Sequence, residues 1–346
     1  MRIILKYTLI GICFFCLTNV MAQQNDKSGA EFGMKLTSEL QGTCAGDYNY
    51  VNLLRLNAAL PIVSPKSESP RATGITFEIA SLSTCMTAKE SIGGDLQTFS
   101  NLDAGNIPFA LSVCNVAITT NGGHSLFMGI RNMNEDYFCS DVTSYFTNSS
   151  CGIYPTISAN YPIANYPVAS MGIRYCYDGD PIKVQASLYN GTGYNRFTGR
   201  DNVFRVCPKG DGVFGITEMS YNHEGSSYFL GNALYCKEGS VSTTPWFYTE
   251  QCITSNLTLL AACSHAFTAD AKCRDFVGCG ALYQFKKCQV GAFTDYANFM
   301  ESNEFATELT CKIPIIQYLD IQPTVHLITY DGSLQCVATM RMALSL

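Results

Sequence analysis

The last thirteen residues of the chain, "LQCVATMRMALSL", alternate. From Leu334 onward the even positions Leu334, Cys336, Ala338, Met340, Met342, Leu344 and Leu346 are all apolar, while the odd positions include Gln335, Thr339, Arg341 and Ser345. Side chains two residues apart share one face of a strand, so this is a strand with one greasy face and one polar face. Chain termini usually fray. A stripe that runs to the terminal carboxylate therefore predicts that the last residue is itself tied into a sheet.

The same alternation recurs upstream. In "MGIRYCYDGDPIKVQASLY", Met171, Ile173, Tyr175 and Tyr177 oppose Gly172, Arg174 and Asp178, and after an Asp-Gly-Asp-Pro turn Ile182, Val184, Ala186 and Leu188 oppose Lys183, Gln185 and Ser187. That predicts a hairpin. In "SLFMGIRN", Leu126, Met128 and Ile130 lie opposite Ser125, Phe127 and Arg131; near the end of the chain, Leu309, Cys311 and Ile313 oppose Glu308, Thr310 and Lys312, and Leu319, Ile321, Val325 and Leu327 oppose Asp320, Gln322, Thr324 and His326. Further strands are expected at 74–83, 213–221, 228–236, 256–264 and 277–285, without assigned faces. Helical spacing is weak throughout, and no repeat or linker divides the chain, so a single domain is expected.

A sheet with so continuous an apolar face can bury it against a second sheet, as in a soluble sandwich, or turn it to lipid, as in a closed barrel whose polar side chains line the lumen. Composition favours the barrel. The chain is 14% charged and 47% hydrophobic, with 20 Tyr and 20 Phe among 346 residues. A water-soluble surface ordinarily carries more charge, whereas outer-membrane barrels carry aromatic girdles. Lipid tolerates no open sheet edge, which gives the terminal stripe its role as the closing strand.

The N-terminus reads as an export signal. "MRIILKYTLIGICFFCLTNVMAQQ" has Arg2 and Lys6 before an apolar run from Tyr7 to Leu17, then Val20 and Ala22 at the −3 and −1 positions of a cleavage site before Gln23. Residues 1–22 are thus expected to be removed, leaving 23–346 as one outer-membrane domain with 20 basic and 28 acidic residues, a net charge of −8. That balance excludes nucleic acid as a partner. No remaining segment offers about 18 uninterrupted apolar residues for a membrane helix. A spanning strand needs about 9–11 residues, and with turns about 20 residues per strand, which gives an all-β, transmembrane antiparallel barrel of about 16 strands.

Seventeen cysteines include Cys13 and Cys16 in the signal, leaving fifteen, spread rather than clustered. Several, such as Cys263, Cys311 and Cys336, fall on the apolar side of strand patterns, and most are expected to serve as small apolar side chains on the outer face. Cys263, Cys273, Cys279 and Cys288 lack the paired spacing of a zinc site. No catalytic constellation is present either: His223–Glu224 has no second histidine following it, "GTGYNR" opens no helix, and no serine lies in a nucleophile elbow. The expectation is a protein that is not an enzyme and needs no cofactor.

One stretch refuses to alternate. From Glu135 to Pro167, "EDYFCSDVTSYFTNSSCGIYPTISANYPIANYP" carries Pro155, Pro162 and Pro167, and about 30 residues without regular structure are usually functional. Inside a barrel such a segment can fold inward and constrict the pore; the other reading is an external loop packed on itself. Tyr145, Phe146, Tyr154, Tyr161 and Tyr166 offer faces that stack on sugar rings, and Asn148, Asn160 and Asn165 offer amides to hydroxyls.

The run "GIRNMNEDYFCSDVTSYFTNSSCGIYPTISANYPIANYPVASMGIRY" resembles the central region of the carbohydrate-selective porins of Gram-negative outer membranes, the OprB family. The tail "EFATELTCKIPIIQYLDIQPTVHLITYDGS" is similar to that family's penultimate hairpin, and "GVFGITEMSY" to its strand with an embedded glutamate; together the similarity extends from about Gly74 to Leu346. It implies a 16-stranded barrel passing monosaccharides or short saccharides by passive diffusion, with the non-alternating segment in the pore. It also implies roles for Arg131, Glu135 and Asp136 at the entry to that segment and for Glu218 as the strand carboxylate; Glu308, on the polar face of its strand, is a further pore candidate. Small carbohydrates and outer-membrane lipid are the expected partners, as a monomer or a homotrimer. A solute-unspecific porin and a blocked barrel acting as a surface binding or structural protein are the alternatives. The chain is shorter than typical family members, and its one tryptophan, Trp246, lies far along the sequence from the central segment.

Overall fold

In the computed structural model, which describes residues 29–346, sixteen antiparallel strands close into one barrel. They are β1 (Glu31–Thr43), β2 (Tyr48–Val63), β3 (Thr73–Met86), β4 (Ile107–Thr120), β5 (His124–Arg131), β6 (Ser170–Asp178), β7 (Ile182–Asn190) and β8 (Val213–His223). The second half comprises β9 (Ser226–Lys237), β10 (Ser240–Thr254), β11 (Leu257–His265), β12 (Cys273–Gln284), β13 (Gln289–Phe299), β14 (Asn303–Ile316), β15 (Leu319–Tyr330) and β16 (Ser333–Ser345). Each strand pairs with its sequence neighbours, and β1 pairs with β16 from Lys35↔Ser345 to Thr43↔Val337. The expected export signal, residues 1–22, lies outside the described residues.

The C-terminal stripe is the closing strand. Leu346 and Met34 exchange both backbone hydrogen bonds, at 2.8 and 2.9 Å, so the last residue is held as the sequence requires. Met340 and Met342 are exposed on the outer wall while Thr339 and Arg341 are buried inside. The other alternating strands obey the same parity: Ile173, Tyr175, Val184, Leu188 and Leu309 face out, and Gln185, Ser187, Glu308 and His326 face in. Ile130 keeps its outward parity and is nevertheless buried, because Val203 from the 191–212 connection lies over the wall there with Leu111 and Ala169. The strands β1, β2, β4, β10 and β13 were not marked by the sequence pattern.

The two rims differ. One rim carries both ends of the described chain and short turns, such as 121–123, 179–181, 224–225 and 255–256; the other carries three long connections, 87–106, 132–169 and 191–212. Exposed aromatics band the outer wall near both rims. Tyr175, Tyr177, Tyr221, Tyr228, Tyr283 and Tyr318 lie toward the short-turn rim, and Tyr48, Tyr50, Tyr296 and Phe305 toward the other.

All fifteen cysteines of the described chain are unbridged. Cys263 and Cys279 lie exposed on the outer wall, as the apolar parity requires, and Cys311 and Cys336 are half-buried on the same face. Cys151, Cys176 and Cys273 are buried instead, Cys151 within the inward-folded segment.

Candidate functional site

The non-alternating segment lies inside the barrel. Strands β5, β6 and β7 are only 8 to 9 residues long, so the chain leaves the wall part-way up the lumen instead of at the rim. Asn132 sets the departure: its carbonyl oxygen Oδ1 accepts from the Asn134 N–H, and its Nδ2 donates to the Val168 carbonyl, both at 2.8 Å. From there residues 132–169 cross the lumen through short 3-10 turns and one helical turn, Pro155–Ser158.

An apolar core holds this segment to one wall. Phe138, Phe146, Tyr154, Ile157 and Tyr161 are buried against inward residues of β7 to β13, among them Phe214, Trp246, Tyr248, Phe276 and Phe293. The rings pair closely: Tyr154 with Phe276 at 4.7 Å, Phe138 with Trp246 at 4.9 Å, Tyr161 with Tyr235 at 5.2 Å and Phe146 with Phe293 at 5.3 Å. Aromatic pairs of this kind each contribute about 0.5–1.5 kcal/mol beyond the area they bury. Trp246, distant in sequence, is therefore at the centre of the segment's docking surface. Inward glycines make room for the rings. A Cβ on Gly231 would sit 2.1 Å from the Trp246 ring, and one on Gly291 would sit 2.6 Å from Tyr145 and 2.9 Å from Phe146.

Polar anchors fix the segment at its entry and its tip. At the entry, Arg131 forms a bidentate pair with Asp136 (2.7 and 2.8 Å) and reaches Glu78 at 2.9 Å. Arg174 lies 3.2 Å from the same Asp136 carboxylate and donates to Gln185, which donates in turn to Glu218 at 3.0 Å; the Trp246 indole donates to the other Glu218 oxygen at 3.3 Å. Arg131, Asp136 and Glu218 are thus one connected network. At the tip, the fully buried Glu308 carboxylate accepts from the Thr147 N–H (2.9 Å), the Thr147 hydroxyl (3.0 Å) and the Asn148 N–H (2.8 Å). Asn148 donates to Asp295 at 2.9 Å, and Asn160 exchanges hydrogen bonds with the Cys273 backbone. Burial also pushes the Tyr154 phenol well above its ordinary range.

A second connection, 87–106, folds inward as well, and no alternation or resemblance had marked it. Its Phe99 packs against Ala306, Ile328 and Val337, inward positions of β14 to β16. Glu304 accepts from the Leu96 and Gln97 backbone, and Gln97 donates to Asp295 at 2.9 Å. The two inward segments are joined to each other: the Asn101 N–H donates to the Thr147 carbonyl at 2.8 Å, and Ser150 donates to the Gln97 side chain at 2.7 Å. The only sequence signal was its length without a period, "TAKESIGGDLQTFSNLDAGN".

Between the two segments and the wall formed by β1 to β4 and β14 to β16 remains a cavity of about 660 Å³. Its charged lining is mixed. Arg55 grips Glu135 with two hydrogen bonds (2.5 and 2.8 Å), Lys312 lies 3.4 Å from Asp320, and Arg341 lies 2.6 Å from Glu39, leaving Lys35 as the cavity cation without an ion pair among the described residues. Asp103 accepts from Gln41 at 2.9 Å through Oδ1, while its buried Oδ2 has no hydrogen-bond partner. Burial, with Glu39 and Asp95 nearby, raises its carboxyl to about 6. Hydroxyls and amides of Ser144, Ser149, Asn134 and Asn165 complete the segment's side of the cavity.

Of the sequence-derived candidates, Glu135, Tyr145, Asn165 and Tyr166 line the cavity. Tyr145 does so with its phenol fixed, donating to the Gln289 carbonyl at 2.6 Å. The rings of Phe146, Tyr154 and Tyr161 are turned to the wall and buried there, because the inward faces of β8 to β13 are themselves apolar and compete for them. Asn148, Asn160, Glu218 and Glu308 lie behind the segment as anchors. Arg131 and Asp136 lock its entry. Arg55, Lys35 and Asp103 line the cavity without having been singled out, since single charges in strands and loops carry no pattern of their own.

No family model and no curated protein sequence matches the chain. Solved structures share its fold. Pseudomonas putida OprB at high pH superimposes with a TM-score of 0.75 at 15% identity, covering 92% of this chain and 94% of that one; its low-pH structure gives 0.60 at the same identity, covering 92% and 93%. The anion-selective porin of Comamonas acidovorans gives 0.61 at 11% identity, covering 92% of this chain and all of that one. At these identities the likeness establishes the 16-stranded barrel that the resemblance implied.

Proposed function

We propose that this chain is an outer-membrane porin of the carbohydrate-selective OprB type, through which small saccharides pass by diffusion. The observation that carries the reading is a polar cavity enclosed by two inward-folded segments within a closed barrel whose outer wall is apolar. An apolar outer wall on a closed barrel matches the lipid-facing band of membrane-spanning barrels. Outer-membrane barrels carry short turns toward the periplasm and longer loops outside, so the rim bearing the C-terminus is periplasmic and both constricting segments enter from the cell exterior. Residues 1–22 serve as the cleaved export signal.

Support for a saccharide comes from the lining. Hydroxyls and amides of the lining are acceptors and donors suited to sugar hydroxyls, and the Arg55–Glu135 pair offers both together. Tyr145 and Tyr166 border the cavity and are the aromatic surfaces within reach of a passing ring. Because the other aromatics are docked on the wall, recognition here depends more on hydrogen bonding than on stacking. Conduction requires such contacts to be weak enough to release.

The test is single-channel conductance of detergent-purified protein in planar bilayers, titrated with glucose and a short maltooligosaccharide. Saturable loss of conductance with sugar, weakened by Arg55→Ala, supports the proposal. Conductance indifferent to sugar leaves a general porin, and a folded barrel that does not conduct leaves a blocked one.

A further inference from the structure

The register that closes the barrel places two cysteines opposite each other. The β1–β16 pairing reaches Thr43↔Val337, and one residue further the Cys44 N–H donates to the Cys336 carbonyl at 3.3 Å. Cys44 and Cys336 are therefore a directly opposed, hydrogen-bonded antiparallel pair, for which the Cα atoms lie about 5.5 Å apart. Disulfides occupy the range of about 4.4–6.8 Å with a mode near that value. Both side chains are on the outer wall, since their neighbour Val337 points inward and is fully buried. Cys44, as the first residue of the β1–β2 turn, is exposed, and Cys336 is half-buried.

We infer that Cys44 and Cys336 form a disulfide that covalently closes the barrel at its seam. Exported proteins meet an oxidising compartment in which such bonds form and persist. The reaction is thiol–disulfide exchange with an oxidising protein disulfide. One cysteine thiolate attacks the oxidant's S–S bond, giving a mixed disulfide and releasing one oxidant thiol. The second cysteine thiolate then displaces the oxidant's other sulfur. The Cys44–Cys336 bond forms, the oxidant's bond breaks, and two electrons and two protons leave with the reduced dithiol. The position matters because β1 and β16 are the strands farthest apart in sequence, and their pairing is the contact whose loss opens the barrel. The proposal is independent of what passes through the pore and depends only on export.

A second close pair supplies the control. Cys288, just before β13, lies diagonally from Cys311 of β14 in the extended register. A bond there would close only a short hairpin, whereas the seam bond encloses nearly the whole described chain.

The experiment alkylates cells with N-ethylmaleimide before lysis, then compares boiled full-length protein on reducing and non-reducing denaturing gels and maps its peptides by mass spectrometry. The expected result is a faster-migrating species without reductant and a linked peptide pair containing Cys44 and Cys336, two hydrogens lighter than the separate peptides. Cys44→Ser and Cys336→Ser should each abolish the mobility difference, and Cys288→Ser should leave it intact. N-ethylmaleimide on both Cys44 and Cys336, or either one linked to a different cysteine, overturns the proposal.

Discussion

The placement of Glu308 behind the inward-folded segment makes Glu308→Ala an informative perturbation. Its carboxylate is fully buried and receives the Thr147 N–H, the Thr147 hydroxyl and the Asn148 N–H at 2.8–3.0 Å. Removing it leaves two buried backbone donors without partners, while the Thr147 hydroxyl keeps His326 Nε2 at 3.2 Å. Each unsatisfied buried group costs about 1–3 kcal/mol, so the tip should lose about 2–6 kcal/mol. The tip keeps its other anchors, Asn148 to Asp295, Gln322 to the Tyr145 carbonyl at 2.9 Å, the Tyr145 hydroxyl to Gln289, and the Asn101 and Gln97 contacts with the second segment. The barrel ladder is untouched, because Glu308 pairs with His326 and Phe293 through backbone alone. A residue that merely lined the pore would alter conductance smoothly. An anchor whose loss rivals the local stability should instead produce a channel that fluctuates between a constricted and a wider level. Single-channel recording distinguishes these, with heat-modifiable migration confirming a folded barrel. Glu308→Gln, which keeps one accepting oxygen, should fluctuate less. Wild-type conductance and noise in a folded Glu308→Ala barrel would refute the anchoring argument.

Three further outcomes are expected. Gly291→Ala places a methyl 2.6 Å from the Tyr145 ring, and overpacking of this kind costs about 1–3 kcal/mol; the midpoint of thermal unfolding should fall, and an unchanged midpoint would show that the rings do not dock there. Lys35→Glu reverses the cavity cation that lacks an ion pair among the described residues. A unit charge about 5 Å from a passing ion is worth about 0.8 kcal/mol at bulk-water dielectric; reversal doubles this and acts with opposite sign on cations and anions, so cation over anion permeability should rise by about two-hundredfold at low salt, read from reversal potentials, and less at high salt. Asp103, raised to about 6, is charged at neutral pH and loses its charge as pH falls through that value. Cation preference should therefore drop between about pH 7 and pH 5, and Asp103→Asn should hold the low-pH behaviour throughout. The sign for stability follows from the same shift: the folded chain binds this proton more tightly than the unfolded one, so the contribution of Asp103 is most favourable at low pH and is lost as pH rises toward 6.

How much of this was legible in the sequence depends on which interactions obey a period. Outward and inward faces of β6, β7, β14, β15 and β16 could be read because lipid on one side and polar groups on the other impose strict alternation. Strand β10 escaped because its inward positions include both Trp246 and Tyr248, so polar and apolar residues no longer separate by parity. That mixture is itself informative after the fact. An aromatic on the lumen side of a barrel needs a covering layer, and the apolar inward residues of β7 to β13 are confined to the arc on which the non-alternating segment docks. The strands left polar inside, such as β1 with Thr37, Glu39 and Gln41, bound the cavity instead. The segment's existence was therefore visible in its prolines and its lack of period, while its orientation was not, because tyrosine and phenylalanine suit a packed wall and a sugar-stacking surface equally well. What decides between those uses is the partner across the lumen, and partners such as Phe276 for Tyr154 lie more than a hundred positions away. The same reasoning applies to the carboxylates. Glu308 and Glu135 are indistinguishable as polar residues, yet one meets backbone N–H groups behind the segment and the other meets Arg55 in the cavity. Function in this barrel is thus set by which residues of the inner wall are spent on holding the two inward segments, since only those left over can meet a solute.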